Sequence, residues 1–200
     1  MISITNFDSP LGRMLAAAED NALTGLYFIG QQYYPDAAGA WHEDGEARPF
    51  DALRQQLDEY FAGKRLLFDL PLNPGGKLGK GGTAFQRAVW DAIAAVPFGS
   101  TATYSSLAAR CGRPSAARAS GAATGRNPLS LIIPCHRIVG SSGALTGYAG
   151  GLDRKRTLLA FERAVALGEA GPISRFVAVG NAASALSASG PTQSEFGLVR

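Results

Sequence analysis

The sequence predicts an α+β fold: a small N-terminal domain of antiparallel sheet plus helix, followed by a mainly helical domain with a helix-turn-helix. Three observations carry that prediction. Apolar alternation marks strands in the first 30 residues, and a single helix-period stripe follows. Residues 73–82, with five glycines and one proline, then interrupt the pattern. Beyond them the long periodic segments are helical, and two short ones are joined by a Gly-containing turn, as a helix-turn-helix requires.

Ile2 to Phe7 alternates as a strand, and Ser9-Pro10-Leu11-Gly12 is a turn. Arg13 to Ala18 and Leu23 to Ile29 read as a hairpin around Asp20-Asn21. Gln31 to Arg48 lacks periodicity and reads as a loop. Pro49 to Ala62 is an amphipathic helix, with Leu53, Leu57, Tyr60 and Phe61 at helical spacing and Gly63 as its stop. Leu66 to Leu70 reads as a short strand ended by Pro71. The expected organisation is therefore residues 1–72 as the N-terminal domain and 73–82 as a linker, with 83–168 as the second domain and 169–200 as a flexible tail. The linker resembles a phosphate loop only superficially, because Lys80 is followed by Gly81-Gly82 where a Walker loop needs Ser or Thr opening a helix.

In the second domain Thr83 and Gln86 form a candidate capping box. Phe85, Val89, Trp90, Ile93 and Val96 make the apolar stripe of the helix that Pro97-Phe98-Gly99 ends. Tyr104 to Arg110 is a short helix, Cys111-Gly112-Arg113 a turn, and Pro114 to Thr124 a second helix with proline at its first position. Leu129 to Ile133 reads as a short apolar strand and Leu152 to Ala166 as the final helix. The Ala-, Ser- and Gly-rich residues beyond it read as loosely held.

Composition narrows the function. The 200 residues are 46% hydrophobic and 18% charged, which excludes wholesale disorder and collagen-like or coiled-coil architecture. No stretch approaches the length of a membrane helix, and the first ten residues lack the basic and apolar regions of a signal peptide. Two cysteines make no disulfide framework, so a cytoplasmic protein is expected. With only Cys111, Cys135, His42 and His136, and no metal-ligand spacing among them, no metal or other cofactor is expected. Charge is asymmetric: residues 1–82 hold 7 Lys+Arg against 11 Asp+Glu, whereas residues 83–165 hold 10 against 3, a net of +7. A basic second half facing a polyanion and a chance clustering of solubilising arginines both fit that count.

Pro134-Cys135-His136-Arg137 is the sharpest chemical feature. A thiol becomes a useful nucleophile when a base or a positive field raises its thiolate fraction. His136 is the adjacent base, although neighbouring side chains on extended backbone point apart, so contact needs a tight turn or a bridging water. Glu162 is a candidate to orient the imidazole. Taken alone, a Cys-His pair is more often structural and does not settle the function.

Five segments taken together closely resemble the methylated-DNA–protein-cysteine methyltransferases, also called O6-alkylguanine-DNA alkyltransferases. They are Tyr104-Ser105-Ser106-Leu107-Ala108, Ala116-Ala117-Arg118-Ala119, Gly125-Arg126-Asn127-Pro128, Ile133-Pro134-Cys135-His136-Arg137-Ile138-Val139 and Gly147-Tyr148-Ala149-Gly150-Gly151-Leu152. The resemblance spans about residues 84–165; residues 1–72 fit the family's variable N-terminal domain in pattern only, and the order of small and basic residues at Thr124-Gly125-Arg126 departs from common members. The zinc site of some relatives cannot be built here, since residues 1–82 contain no cysteine and only His42.

The resemblance implies single-turnover repair of double-stranded DNA carrying alkylated bases, by a monomer, with no membrane partner. Cys135 takes the alkyl group from guanine O6, His136 draws off the thiol proton through water, Glu162 orients the imidazole, and Asn127 braces the active-site turn. Tyr104 donates to the base, while Tyr148 and Gly150 line the alkyl pocket. Arg118 enters the duplex in place of the extruded nucleotide, with Ser115, Ala119 and Arg126 beside it on the DNA. Independently, Ser115 to Ala123 has almost no bulk apart from Arg118. That suits close approach to the backbone and lacks the side chains that major-groove readers carry. Each role has a plainer rival: Tyr104 as a core tyrosine, Arg118 as a solvated helix residue, Asn127 as a turn residue, and Arg154 and Lys155 as phosphate or solvent contacts. Two other functions stay open: a helix-turn-helix protein that only recognises lesions, which the retained Cys135 disfavours, and a Cys-His hydrolase.

Overall fold

The computed structural model describes residues 1–35, 41–76, 81–169 and 171–177. Strands β1 (Ile2–Phe7), β2 (Met14–Glu19) and β3 (Ala22–Phe28) form the expected antiparallel meander, with Asp20 and Asn21 both at positive φ in the hairpin turn. β2 lies inside the sheet and is buried along its whole length, which is why Met14 to Ala18 reads as a continuous apolar run. The segment expected to be a loop, 31–48, contributes β4 (Trp41–Glu43), which pairs in parallel with β1 and completes the order β3-β2-β1-β4. The sheet thus has one parallel edge, and three residues with a single large apolar side chain carry too little alternation to announce it.

Helix α1 (Phe50–Phe61) buries Leu53, Leu57, Tyr60 and Phe61, the stripe expected from spacing, together with Phe50, and Gly63 follows at positive φ. Gln56 on the same face donates to Asp69 O at 2.7 Å and accepts from Asp69 N at 2.8 Å. Backbone taken up by a side chain cannot also join a ladder, so the strand expected at Leu66–Leu70 does not form. The pairing comes just after it, where Leu72 bridges Leu23 and the Pro71 carbonyl accepts from Leu23 N at 2.8 Å. Residues 73–76 of the expected linker continue along β3, Gly75 N donating to Thr24 O at 2.9 Å; residues 77–80 lie outside the described residues.

Helix α2 (Ala84–Ala94) opens with the Thr83–Gln86 capping box and buries Val89, Trp90 and Ile93. β5 (Ala102–Thr103) leads into α3 (Tyr104–Arg110), itself capped by Thr103 and Ser106. α4 (Ala117–Gly125) begins three residues later than the proline signal placed it. Trp90 ties α2 to α4 by donating to Ala123 O at 3.0 Å. The strand expected at Leu129–Ile133 is instead a tight turn with Leu131 at φ 71°, where Ile133 N returns to Leu129 O at 2.9 Å. A 3-10 turn over Cys135–Arg137, the two-residue β6 (Ile138–Val139) paired with β5, and α5 (Leu152–Ala166) complete the order.

The two halves share one apolar core. Leu26 of β3 donates to Pro128 O and accepts from Ser130 N, clamping the Leu129 turn to the sheet edge. The start of the segment read as a loosely held tail is part of the core, docked through Ile173 and Phe176, two of its few large apolar residues. Ile173 is fully buried and its N–H bonds Phe61 O at 2.8 Å, while the Phe176 ring meets Phe161. Residues 178–200 lie outside the described residues. Among the described residues no helix is long and apolar enough to cross a membrane, and no group of three His, Cys, Asp or Glu side chains could hold a metal.

Candidate active site

Cys135 and His136 are the first two residues of the 3-10 turn, so their side chains leave a tightly wound backbone and not an extended one. Cys135 and His136 are both buried. Asn127 staples the preceding turn: Nδ2 donates to Ile133 O at 2.7 Å and to Cys135 Sγ at 3.0 Å, and Oδ1 accepts from Leu129 N at 3.0 Å. The asparagine expected to brace the site therefore touches both its backbone and its sulfur.

Glu162, fully buried on α5, gathers five donors. Tyr60 Oη (2.8 Å), His136 Nε2 (2.9 Å) and one Arg137 nitrogen (2.9 Å) meet Oε1, while Arg137 Nε (2.8 Å) and Gly99 N (3.2 Å) meet Oε2. Burial pushes the Glu162 carboxyl up, but His136 and Arg137 outweigh it and hold the group well below the usual carboxylate range. An ionised carboxylate can only accept, so His136 carries its proton on Nε2 and leaves Nδ1 as the basic nitrogen. That Nδ1 is buried without a hydrogen-bond partner among the described residues. Burial also lowers the His136 pKa, offset only in part by Glu162 and reinforced by Arg137 and Lys155, so the imidazole rests neutral at pH 7.

Burial pushes the Cys135 thiol up, against the pull of the Asn127 hydrogen bond, the Lys155 charge and nearby backbone amides. The resting pair is a protonated thiol and a neutral imidazole.

Lys155 is buried, which corrects its reading as a phosphate or solvent contact. Its ammonium donates to Ile138 O (2.5 Å), Thr146 O (2.6 Å) and Gly147 O (3.4 Å), joining β6 to the loop at 146–147. Burial brings its pKa down to about 8, with Cys135 pulling the other way. Arg154 is likewise committed inside: it donates to Leu11 O and Gly150 O, both at 2.7 Å, and covers the Phe28 ring. Tyr104 opens α3 with its ring beside Gly121 of α4, and its hydroxyl reaches the carbonyls of Thr146 (3.1 Å) and Gly147 (3.2 Å). Tyr148 is buried with its ring edge-on to His136, and its hydroxyl has no partner among the described residues. Gly150 lies under that ring, where an added Cβ would come within 2.7 Å of Tyr148 Cε1 and 3.0 Å of Phe28 Cδ2. Only glycine allows this approach.

A cavity of about 280 Å³ lies against Tyr104 and Tyr148, between the small residues of α4 and the 146–149 loop. Ser115, Arg118, Ala119 and Arg126 are all exposed along the helix-turn-helix and its exit. Arg137, Tyr60 and Gly99 went unassigned in the sequence. Arg137 had a signal, since an arginine next to a buried Cys-His pair needs a counter-ion. Lys155 had one as well, lying two helical turns before Glu162 on the same face of α5.

Two family models cover most of the chain: the 6-O-methylguanine DNA methyltransferase ribonuclease-like domain over residues 2–74, and the DNA-binding domain of that methyltransferase over residues 84–164. A methylated-DNA–protein-cysteine methyltransferase of Mycolicibacterium paratuberculosis is 45% identical over 163 residues, 82% of this chain and 93% of the relative. The counterpart from Haemophilus influenzae is 41% identical over 160 residues, 80% of this chain and 85% of the relative. Among solved structures, Mycobacterium tuberculosis OGT in complex with DNA superposes with a TM-score of 0.77 at 39% identity, covering 88% of this chain and 98% of that one. With both domains, the buried Cys-His-Glu site and these relatives in agreement, the chain belongs to the methylated-DNA–protein-cysteine methyltransferase family.

Proposed function

We propose that this protein repairs double-stranded DNA by transferring an alkyl group from guanine O6 to Cys135, once per molecule. The observation that carries the proposal is the buried set of Cys135, His136 and Glu162, in which Asn127 holds the sulfur and Glu162 holds the imidazole, leaving His136 Nδ1 without a hydrogen-bond partner among the described residues. The thiol proton passes through a bridging water to His136 Nδ1, and Glu162 balances the imidazolium. The thiolate attacks the alkyl carbon as its bond to O6 breaks, giving a thioether on the protein and an unmodified guanine. Tyr104 exchanges its carbonyl partners for the base and donates to it, so guanine leaves without full negative charge. In net terms the thiol proton ends on guanine and the alkyl group on sulfur. A thioether offers water no carbonyl to attack, and Cys111 caps α3 on a different element, so no second nucleophile regenerates the site.

Arg118 takes the space of the extruded nucleotide, and Ser115, Ala119 and Arg126 contact the strand around it. Flipping costs a few kcal/mol, which an inserted cation and backbone contacts offset. The reading as a cytoplasmic monomer follows the family resemblance, and Cys111 and Cys135 are both free thiols. Incubation with a duplex containing O6-methylguanine, followed by intact mass and peptide mapping, tests the proposal. The expected product carries one methyl group on Cys135. An unchanged mass with tight lesion binding would favour a protein that only recognises damage.

A further inference from the structure

The cavity beside Tyr104 and Tyr148 has a wall that comes from the other half of the chain. Tyr33, in the segment after β3, lines it together with Gln32. Tyr33 is a large aromatic residue half-exposed at the surface, and its backbone has φ 57°. A non-glycine residue takes up that left-handed conformation only where its surroundings enforce it, and such residues cluster at working sites.

The enforcement comes from the active-site half. Gln32 N donates to Ala149 O at 3.0 Å, inside the loop that carries Tyr148. Gln31 Oε1 accepts from Phe28 N at 2.9 Å and from Ser130 Oγ at 3.3 Å, fixing the same segment to the turn that precedes Cys135. The Tyr33 ring lies close enough to the end of α4 that a Cβ on Gly125 would come within 3.3 Å of it. The Arg126 guanidinium sits over the ring, 5.4 Å from its centre. A solvated loop tyrosine needs none of these restraints. Between Tyr33, Tyr104 and Tyr148 the cavity offers aromatic surface on several sides and only Gly121, Ala122 and Gly125 from the helix. Its volume of about 280 Å³ suits a single flat heterocycle.

We propose that Tyr33 is a nucleotide-positioning residue: its ring closes the outer wall of the substrate cavity and stacks on the extruded alkylguanine, with Arg126 holding the ring in place. The inference rests on the alkyl-transfer reading and adds to it a specificity element in the N-terminal half. Stacking of a base on an aromatic side chain is lost on alanine substitution and retained by any other flat ring.

The test uses the full chain with Tyr33→Ala and Tyr33→Phe. Single-turnover rate constants are measured with an O6-methylguanine duplex and with free O6-benzylguanine, alongside the dissociation constant for undamaged duplex. Tyr33→Ala should slow transfer from both substrates by about tenfold, within the range that lost stacking spans. It should leave affinity for undamaged duplex within about twofold, because no base is extruded there. Tyr33→Phe should react at the parent rate. An active parent with an equally active Tyr33→Ala overturns the inference and leaves alkyl transfer standing. So does a Tyr33→Phe protein as slow as Tyr33→Ala, or a loss of rate matched by loss of affinity for undamaged DNA, which would mark a backbone contact. A parent that transfers nothing removes the alkyl-transfer reading, and the inference with it.

Discussion

Replacing Glu162 by glutamine is the sharpest perturbation of the site, because it changes one atom and one charge at fixed shape. The carboxylate oxygens accept from five donors, three on Oε1 and two on Oε2. Whichever way the glutamine amide turns, its NH2 group faces at least two of those donors and can accept from none. Arg137, itself buried, keeps its charge and loses its only ion-pair partner among the described residues. Breaking a buried pair from one side costs about 3–5 kcal/mol, a large part of a total stability of roughly 5–15 kcal/mol. For a chain of this size the melting point should fall by about 6–20 °C. Glu162 is held below its unfolded value, so its contribution is complete above the ordinary carboxylate range and is lost as pH falls through the native value. The gap between parent and variant should therefore not narrow until pH drops below about 5. Differential scanning calorimetry from pH 8 to 4 reads both quantities. A companion cycle with Arg137→Met and the double variant should give a coupling of about 1–3 kcal/mol, since removing both charges leaves neither one stranded. A Glu162→Gln protein that melts within 2 °C of the parent, about 1 kcal/mol or less, would refute the buried, ionised network.

The remaining expectations address DNA, the tail and the product. Arg118→Ala should slow transfer from duplex DNA far more than transfer from free O6-benzylguanine; equal slowing would remove Arg118 from nucleotide extrusion. Arg110, Arg113, Arg118 and Arg126 are exposed on the helix-turn-helix, and if four phosphates are neutralised the affinity for undamaged duplex should fall about 10²-fold between 50 and 200 mM salt. A flat salt titration would contradict a phosphate-driven interface. Ending the chain at Gly168 removes the fully buried Ile173, about 1.5–3 kcal/mol of apolar burial, so the truncated protein should melt several degrees lower. An unchanged melting point would show that the docked segment contributes nothing. Alkylated protein should also melt below the free form, because a methyl group forced onto the packed Cys135 sulfur costs about 1–3 kcal/mol. Transfer of more than one methyl equivalent per molecule would contradict single turnover.

What could be read in advance divides by how local the determinant is. The hairpin at Asp20-Asn21, the α1 stripe and the Thr83–Gln86 box depend on residues a few positions apart, and all three form. Leu129–Ile133 misled because its apolar run matches a strand, whereas its conformation is decided from outside by Asn127 on one side and Leu26 on the other. Leu66–Leu70 misled for the same reason, through Gln56. Cys135, His136 and Glu162 were legible as a set because two are adjacent and the third is one of few acids in a basic half.

The charges that set the resting state of the site were harder to see. Tyr60 reaches Glu162 across 102 residues, from a helix whose sequence announces only an apolar stripe. The net of +7 over residues 83–165 includes Arg137 and Lys155, both buried, and Arg154, bonded internally. Part of that positive charge therefore faces inward, where it holds Glu162 ionised and His136 neutral, and draws the Cys135 thiol down against its burial. The same basic composition is split between exposed arginines of the helix-turn-helix and charges turned toward Glu162 and Cys135. The N-terminal half, legible only as a generic sheet and helix, reaches both groups, through the Tyr60 hydrogen bond to Glu162 and the Tyr33 ring under Arg126. An N-terminal domain whose sequence shows no chemical motif thus still supplies a hydrogen bond to the buried carboxylate of the other half.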